Sequence, residues 1–216
     1  MVEKFHNELE TLKKNMMKMG DLATSMLCGS VESLKNLDVE KAESVISKKK
    51  ELADMKIKLE EDSLKLIALY QPMAVDMRTI ACCLKMITDL NRIGRYGKDI
   101  AKVTKEIYPG PHIKKIISIP HMNEIVCKMI HDDFNAFNTG DVSLLKGFTE
   151  RDNDVDELRY SIFRECISYM MEDPKNITIC TNYILVARYL ERCGDHACDI
   201  AEEIHYMVTG KRIELK

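Results

Sequence analysis

The 216-residue chain has no tryptophan, nine glycines, five prolines and only 6% aromatic residues. So few turn formers exclude a β-sandwich or barrel, which needs a turn at roughly every 8–12 residues. No uninterrupted apolar run reaches the ~18 residues a membrane-spanning helix requires, so no membrane insertion is expected. Charge of one sign is also missing. There are 32 Lys and Arg against 35 Asp and Glu, a net charge of −3, where a protein gripping a nucleic-acid backbone needs a basic surplus. The opening Val2-Glu3-Lys4-Phe5-His6 lacks the apolar core of a secretory leader. The eight cysteines, Cys28, Cys82, Cys83, Cys127, Cys166, Cys180, Cys193 and Cys198, are therefore expected to be reduced thiols of a cytosolic protein, mostly small core residues.

What is present favours helix. Hydrophobic residues make up 45%, charged residues 31%, and there are 14 methionines among many Leu, Ile, Lys and Glu. Breakers cut the chain into six segments: Val2 to Asn36, Val39 to Tyr70, Met73 to Ile107, Pro120 to Asn138, Val142 to Met171, and Pro174 to about Thr209. Pro72 stops the second, and Asp38 is a fitting N-cap before it. A less regular stretch lies between Pro111 and Pro120. The first segment carries Phe5, Leu9, Leu12, Met16, Met19, Ala23 and Met26, alternating steps of four and three as the seam of a bundled helix does.

The third and sixth segments align without a gap at a shift of 100 residues: Leu90 on Leu190, Arg92 on Arg192, Gly94 on Gly194, Asp99 on Asp199. The second and fifth align at 103, Asp38-Val39 on Asp141-Val142. An internal repeat of about 100 residues accounts for both. The expected architecture is all-α: two tandem three-helix bundles, residues 1–110 and 111–216, elongated because helices of ~30 residues are ~45 Å long.

Beside the seam of the sixth segment stand Glu191, Asp195, Asp199 and Glu202, at i, i+4, i+8 and i+11, one acidic stripe about 80° wide. Like charges so stacked repel, and Arg188, Arg192 or a cation would offset that. Asp152 and Asp156 form a second i, i+4 pair near the start of the fifth segment. In an up-down bundle the two pairs face each other across one groove. Such an all-oxygen donor set suits hard divalent cations, Mg²⁺, Mn²⁺ or Ca²⁺, with iron also admissible. A solvated acidic face is the bland alternative. The first repeat breaks the pattern: Lys49 and Ala53 stand for Asp152 and Asp156, and Asn91 and Arg95 for Glu191 and Asp195. A divalent cation is expected to be rejected there: either the site is lost, with Lys49 and Arg95 left to pair with Asp89 or Asp99, or it has become an anion-friendly surface, and loss is the favoured reading.

Glu3-x-x-His6 and Glu202-x-x-His205 have the spacing of di-iron bundle enzymes, but lie at helix ends. Cys193, His196 and Cys198 point in divergent directions on one helix and cannot converge on zinc. Gly94 and Gly194, mid-helix, mark close helix approach or room for a ligand.

Leu90-Asn91-Arg92-Ile93-Gly94 and Leu190-Glu191-Arg192-Cys193-Gly194-Asp195-His196 resemble the two hallmark segments of the PhoU family, regulators attached to high-affinity phosphate uptake. Phe5-His6-Asn7-Glu8-Leu9-Glu10, Tyr70-Gln71-Pro72-Met73-Ala74-Val75-Asp76-Met77-Arg78 and Tyr169-Met170-Met171-Glu172-Asp173-Pro174 extend the resemblance along the whole chain. It implies a pseudo-twofold between the bundles and a homodimer. It also implies a bound divalent ion, iron, manganese, magnesium or zinc, on Glu191-x-x-x-Asp195 and Asp152-x-x-x-Asp156, with Asp199 alongside. The implied partners are the ATPase subunit of a phosphate ABC transporter and the sensor histidine kinase of the phosphate response. The implied role is a non-enzymatic, cytoplasmic negative regulator when phosphate is plentiful. A di-iron bundle enzyme and a metal-free interaction protein are the alternatives.

Overall fold

The computed structural model describes residues 2–113 and 117–215, so part of the irregular stretch before Pro120 lies outside them. The described residues form seven α-helices and no strand: α1 Val2–Asn36, α2 Val39–Ser47, α3 Lys49–Tyr70, α4 Ala74–Ile107, α5 Ser118–Thr139, α6 Phe148–Glu172 and α7 Ile177–Thr209. The first bundle is α1, α2–α3 and α4; the second is α5, α6 and α7. Every seam residue of the first segment is buried, and so is the α7 seam from Tyr183 through Val186, Leu190, Cys193, Ala197, Ile200 and Ile204 to Met207.

Two expected helices are broken. The second segment divides at Lys48, whose backbone stays near helical (φ −69°, ψ −11°); no breaker residue marks it. The fifth opens with a 3₁₀ turn, Val142–Leu145, before Gly147 takes a left-handed φ of +77° and α6 begins. A glycine is the residue that tolerates that conformation. Asp38 caps α2 as the sequence implies, its carboxylate accepting from the Lys41 amide at 2.9 Å.

The bundles join through α1, α4, α5 and α7 in one continuous core. α4 and α7 run antiparallel: Arg78 Nε donates to the Met207 carbonyl at 3.2 Å, Lys85 pairs with Glu203, and the rings of Tyr96 and Tyr189 stack at 5.5 Å. α4 also crosses α1 backbone to backbone. A Cβ on Gly97 would stand 2.8 Å from the Met26 carbonyl carbon and the Leu27 nitrogen, so only glycine fits there. The expectation that all cysteines are free thiols is corrected in part. Cys28 on α1 and Cys127 on α5 form a disulfide between the bundles, while Cys82, Cys83, Cys166, Cys180, Cys193 and Cys198 are buried thiols outside any disulfide. The bonded pair is 99 residues apart in sequence and meets only because α1 packs on α5, which spacing within a helix cannot reveal.

Candidate metal centre

The acidic residues of the second bundle are set by how α6 meets α7. Gly194 leaves a gap in the α7 surface, and α6 fills it: Asp152 Oδ1 lies 3.2 Å and Val155 Cγ1 3.6 Å from where a Cβ on Gly194 would be. A turn further along, Arg159 Nε stands 3.8 Å from both Asp156 Oδ1 and Glu191 Oε1. Asp152, Asp156 and Glu191 thus share the α6–α7 groove. Asp195 follows Glu191 by one turn on α7 and lies 3.6 Å from Arg192 Nη1.

Glu191 is the most enclosed of the set. Its residue is 8% exposed, and Oε2 is buried without a hydrogen-bond partner. Burial pushes its carboxyl above the usual range; Arg188 pulls it back, Asp195 raises it, and Arg159 and Asp156 contribute smaller opposing effects. Arg188 pairs directly with Oε1. The arginines act as internal counterions, and Arg188 and Arg192 occupy the roles their positions in the stripe suggest. Arg159 was not foreseen; its place three residues after Asp156 was the available signal.

The groove suits a hard divalent cation. Its donors are all carboxylate oxygens, one of them buried and orphaned, and Asp152 packs closely against the surface that Gly194 leaves bare. These four residues do not, however, bring three ligand atoms within 4.8 Å of one another, because arginines stand among them. Asp199 lies beside a different set of groups. It is turned toward α4, with Oδ2 3.7 Å from His196 Nδ1, which in turn lies 3.1 Å from Asp89 Oδ1 on α4.

In the first bundle the expected pairing of Lys49 or Arg95 with Asp89 or Asp99 does not occur. Asp99 is held by Lys98 at 2.7 Å and Lys102 at 3.6 Å, and Asp89 by His196. The di-iron spacings are likewise spent on local bonds. His6 Nδ1 bonds the Val2 carbonyl at 3.0 Å, His205 Nδ1 the Lys211 carbonyl at 3.0 Å, and Glu202 accepts from the Leu215 amide at 2.9 Å.

The sequence profile of the PhoU domain matches residues 16–104 and 119–204. The chain belongs to the PhoU family. It is 36% identical to the phosphate-specific transport system accessory protein PhoU homolog of Rhizobium meliloti (strain 1021) over 95% of this chain and 87% of that one. It is 35% identical to the homolog so named in Aquifex aeolicus (strain VF5), over 98% and 96%. The crystal structure of PhoU from Pseudomonas aeruginosa superposes with a TM-score of 0.91 at 31% identity, over 96% of this chain and 100% of that one. That of the phosphate transport system regulatory protein PhoU from Streptococcus pneumoniae gives 0.88 at 25%, over 97% and 99%.

Proposed function

We propose that this PhoU family member is the accessory regulator of a phosphate uptake system. It works without catalysis, in the cytoplasm and as a homodimer, as an adaptor between the transporter's ATPase subunit and a phosphate-sensing histidine kinase. When phosphate is plentiful it holds uptake and kinase signalling down. The observation that carries this reading is the match along nearly the whole chain to relatives named for phosphate transport. Two features support an adaptor. Helix α6 exposes Tyr160, Phe163, Ile167 and Met171 at i, i+3, i+7 and i+11, and α3 exposes Ile57 and Leu64. Apolar helix faces left in solvent are what protein partners cover. No helix among the described residues is long and apolar enough to cross a membrane.

Asp152, Asp156, Glu191 and Asp195 would hold a divalent cation, iron, manganese, magnesium or zinc. When bound, it supplies positive charge that lets buried carboxylates stay ionised. The arginines supply that charge otherwise, and Glu191 and Asp152 keep α6 and α7 in register. Affinity capture of the wild-type chain from cells grown in high and low phosphate tests the adaptor role. The expected result is recovery of a phosphate-transporter ATPase subunit and a sensor kinase, weakened in Asp152→Ala/Asp195→Ala. Absence of any phosphate-transport partner in both conditions overturns it.

A further inference from the structure

A second cluster sits apart from the α6–α7 groove, where the two bundles meet. Asp89 comes from α4; His196 and Asp199 come from α7. Among the described residues these three offer ligand atoms that all lie within 4.8 Å of one another. The imidazole is enclosed, 6% exposed, and Nδ1 is shut off from solvent without a well-formed hydrogen bond. Both carboxylates are nevertheless beside it, Asp89 Oδ1 at 3.1 Å and Asp199 Oδ2 at 3.7 Å. Around an ion about 2.1 Å from each donor, neighbouring donors stand about 3.0 Å apart in octahedral and about 3.4 Å apart in tetrahedral geometry. The observed 3.1 Å lies between those values, and 3.7 Å is a few tenths of an ångström beyond the larger. The Asp199 side chain is 48% exposed, so a shift of a few tenths of an ångström would bring its oxygen to ligand distance with one side of the site facing water. Tyr96 stacks on the imidazole at 6.1 Å with planes 21° apart, which fixes the ring's direction.

We infer that Asp89, His196 and Asp199 form a divalent transition-metal site that staples α4 of the first bundle to α7 of the second. One imidazole nitrogen with two carboxylates favours Zn²⁺, Mn²⁺, Fe²⁺ or Co²⁺, and the nitrogen disfavours Mg²⁺ and Ca²⁺. Among the described residues the site exists once. Its counterparts across the repeat are Tyr189 for Asp89, Tyr96 for His196 and Asp99 for Asp199, and the two tyrosines stack instead. The same interface position is thus closed by rings on one side of the pseudo-twofold and offers three metal donors on the other. This site does not depend on the α6–α7 carboxylates.

The test uses the full chain, stripped with chelator, in an Asp152→Asn/Glu191→Gln background that disables the α6–α7 donor set. Zn²⁺ is titrated by calorimetry and Co²⁺ by its visible absorption. The expected result is one equivalent bound per chain, with affinity falling at least tenfold on adding His196→Gln or Asp89→Asn. Asp199→Asn, at a half-exposed position, tests the site without disturbing the core. In ¹⁵N-histidine spectra of the unmutated chain, Zn²⁺ is expected to shift the Nδ1 signal of His196. No binding up to millimolar metal, or binding indifferent to these variants with Nδ1 unmoved, overturns the inference and leaves an ion pair only. Loss of this site with the α6–α7 site intact, or the reverse, is read directly from which variants abolish binding.

Discussion

The two bundles use one backbone plan and fill the same hole with different chemistry. A glycine opens the last helix of each, Gly94 in α4 and Gly194 in α7. In the first bundle Leu52 fills the gap, its Cδ2 2.4 Å from the would-be Cβ. In the second, the residue at the position of Leu52 is the smaller Val155, at 3.6 Å, and Asp152 brings Oδ1 to 3.2 Å beside it. Hydrocarbon seals one half, and a carboxylate enters the other. Lys49, Ala53, Asn91 and Arg95 complete the neutral or basic version; Asp156, Glu191 and Asp195 complete the acidic one. The repeat therefore conserves packing and lets the charge beside the packing diverge, so one half keeps an acidic groove and the other a neutral or basic one.

The largest asymmetry is steric. The crossing of α4 over α1 forbids a side chain at Gly97, yet the matching position on α7 is Ala197, fully buried. Gly97→Ala pushes a methyl group into backbone that cannot move aside. Urea unfolding is expected to show a loss of about 3 kcal/mol. Ala197→Gly should cost only about 1 kcal/mol, the helix-propensity difference. Equal losses would mean that the two crossings are equally close.

Next is the charge difference itself. Converting the second groove to the first, with Asp152→Lys and Glu191→Asn, should erase its response to Mg²⁺. Magnesium is the probe because the imidazole of the Asp89–His196–Asp199 cluster disfavours it. At a concentration 100 times the dissociation constant, a ligand bound only by the folded state adds about 2.7 kcal/mol. Thermal melts of the wild type should show that gain and melts of the variant none. An identical Mg²⁺ response in both would remove the ion from this groove.

A third contrast is buried in α5. Asp133 is fully enclosed with neither carboxylate oxygen hydrogen-bonded. The residue 103 positions earlier, Ser30, is also fully buried but donates to the Leu27 carbonyl at 2.7 Å. Burial drives the Asp133 carboxyl well above its usual range, against a smaller pull from Arg151 and with a push from Asp132. A folded-state pKa raised in this way gives stability that is complete below the unfolded value of about 3.9 and is lost as pH rises through the folded one. Asp133→Ser is expected to gain roughly 1–3 kcal/mol at pH 8 and much less at pH 4. A gain independent of pH would show that the Asp133 carboxyl titrates alike in the folded and unfolded chains, so that burial does not raise it.

How much of this was legible depends on reach along the chain. The seams were readable because each is written in steps of three and four within one helix, and Leu9, Met16, Met86 and Leu190 all fall in the core. Gly147 was a readable break that the hydrophobic pattern overrode; Lys48 carried no signal. The acidic stripe was visible, but its angular spread hid a division. Asp199, 80° around α7 from Glu191, belongs to the α4 side, and Asp89 reaches His196 from 107 residues away. The Cys28–Cys127 bond was hidden for the same reason. Pairs that depend on how one bundle docks on the other leave no periodic trace.

The smallest expected effect bears on what the arginines do. Arg159 holds Asp156 and Glu191 at 3.8 Å each, and its Nε is buried without a hydrogen bond. The residue 103 positions earlier, Lys56, instead pairs with Glu60 at 3.4 Å along its own helix face. The first-bundle lysine is an ordinary surface partner worth a few tenths of a kcal/mol. Arg159 sits between two carboxylates that a cation would need. If it is the competing counterion, Arg159→Gln removes the competitor and keeps the length. Mg²⁺ affinity should then rise about threefold to tenfold, a gain of about 0.6–1.4 kcal/mol, while metal-free stability falls by at most about 1 kcal/mol. Lys56→Gln should do neither. If Arg159→Gln weakens Mg²⁺ binding instead, the guanidinium is positioning the carboxylates rather than neutralising them, and the α6–α7 groove requires its arginine to be a site at all.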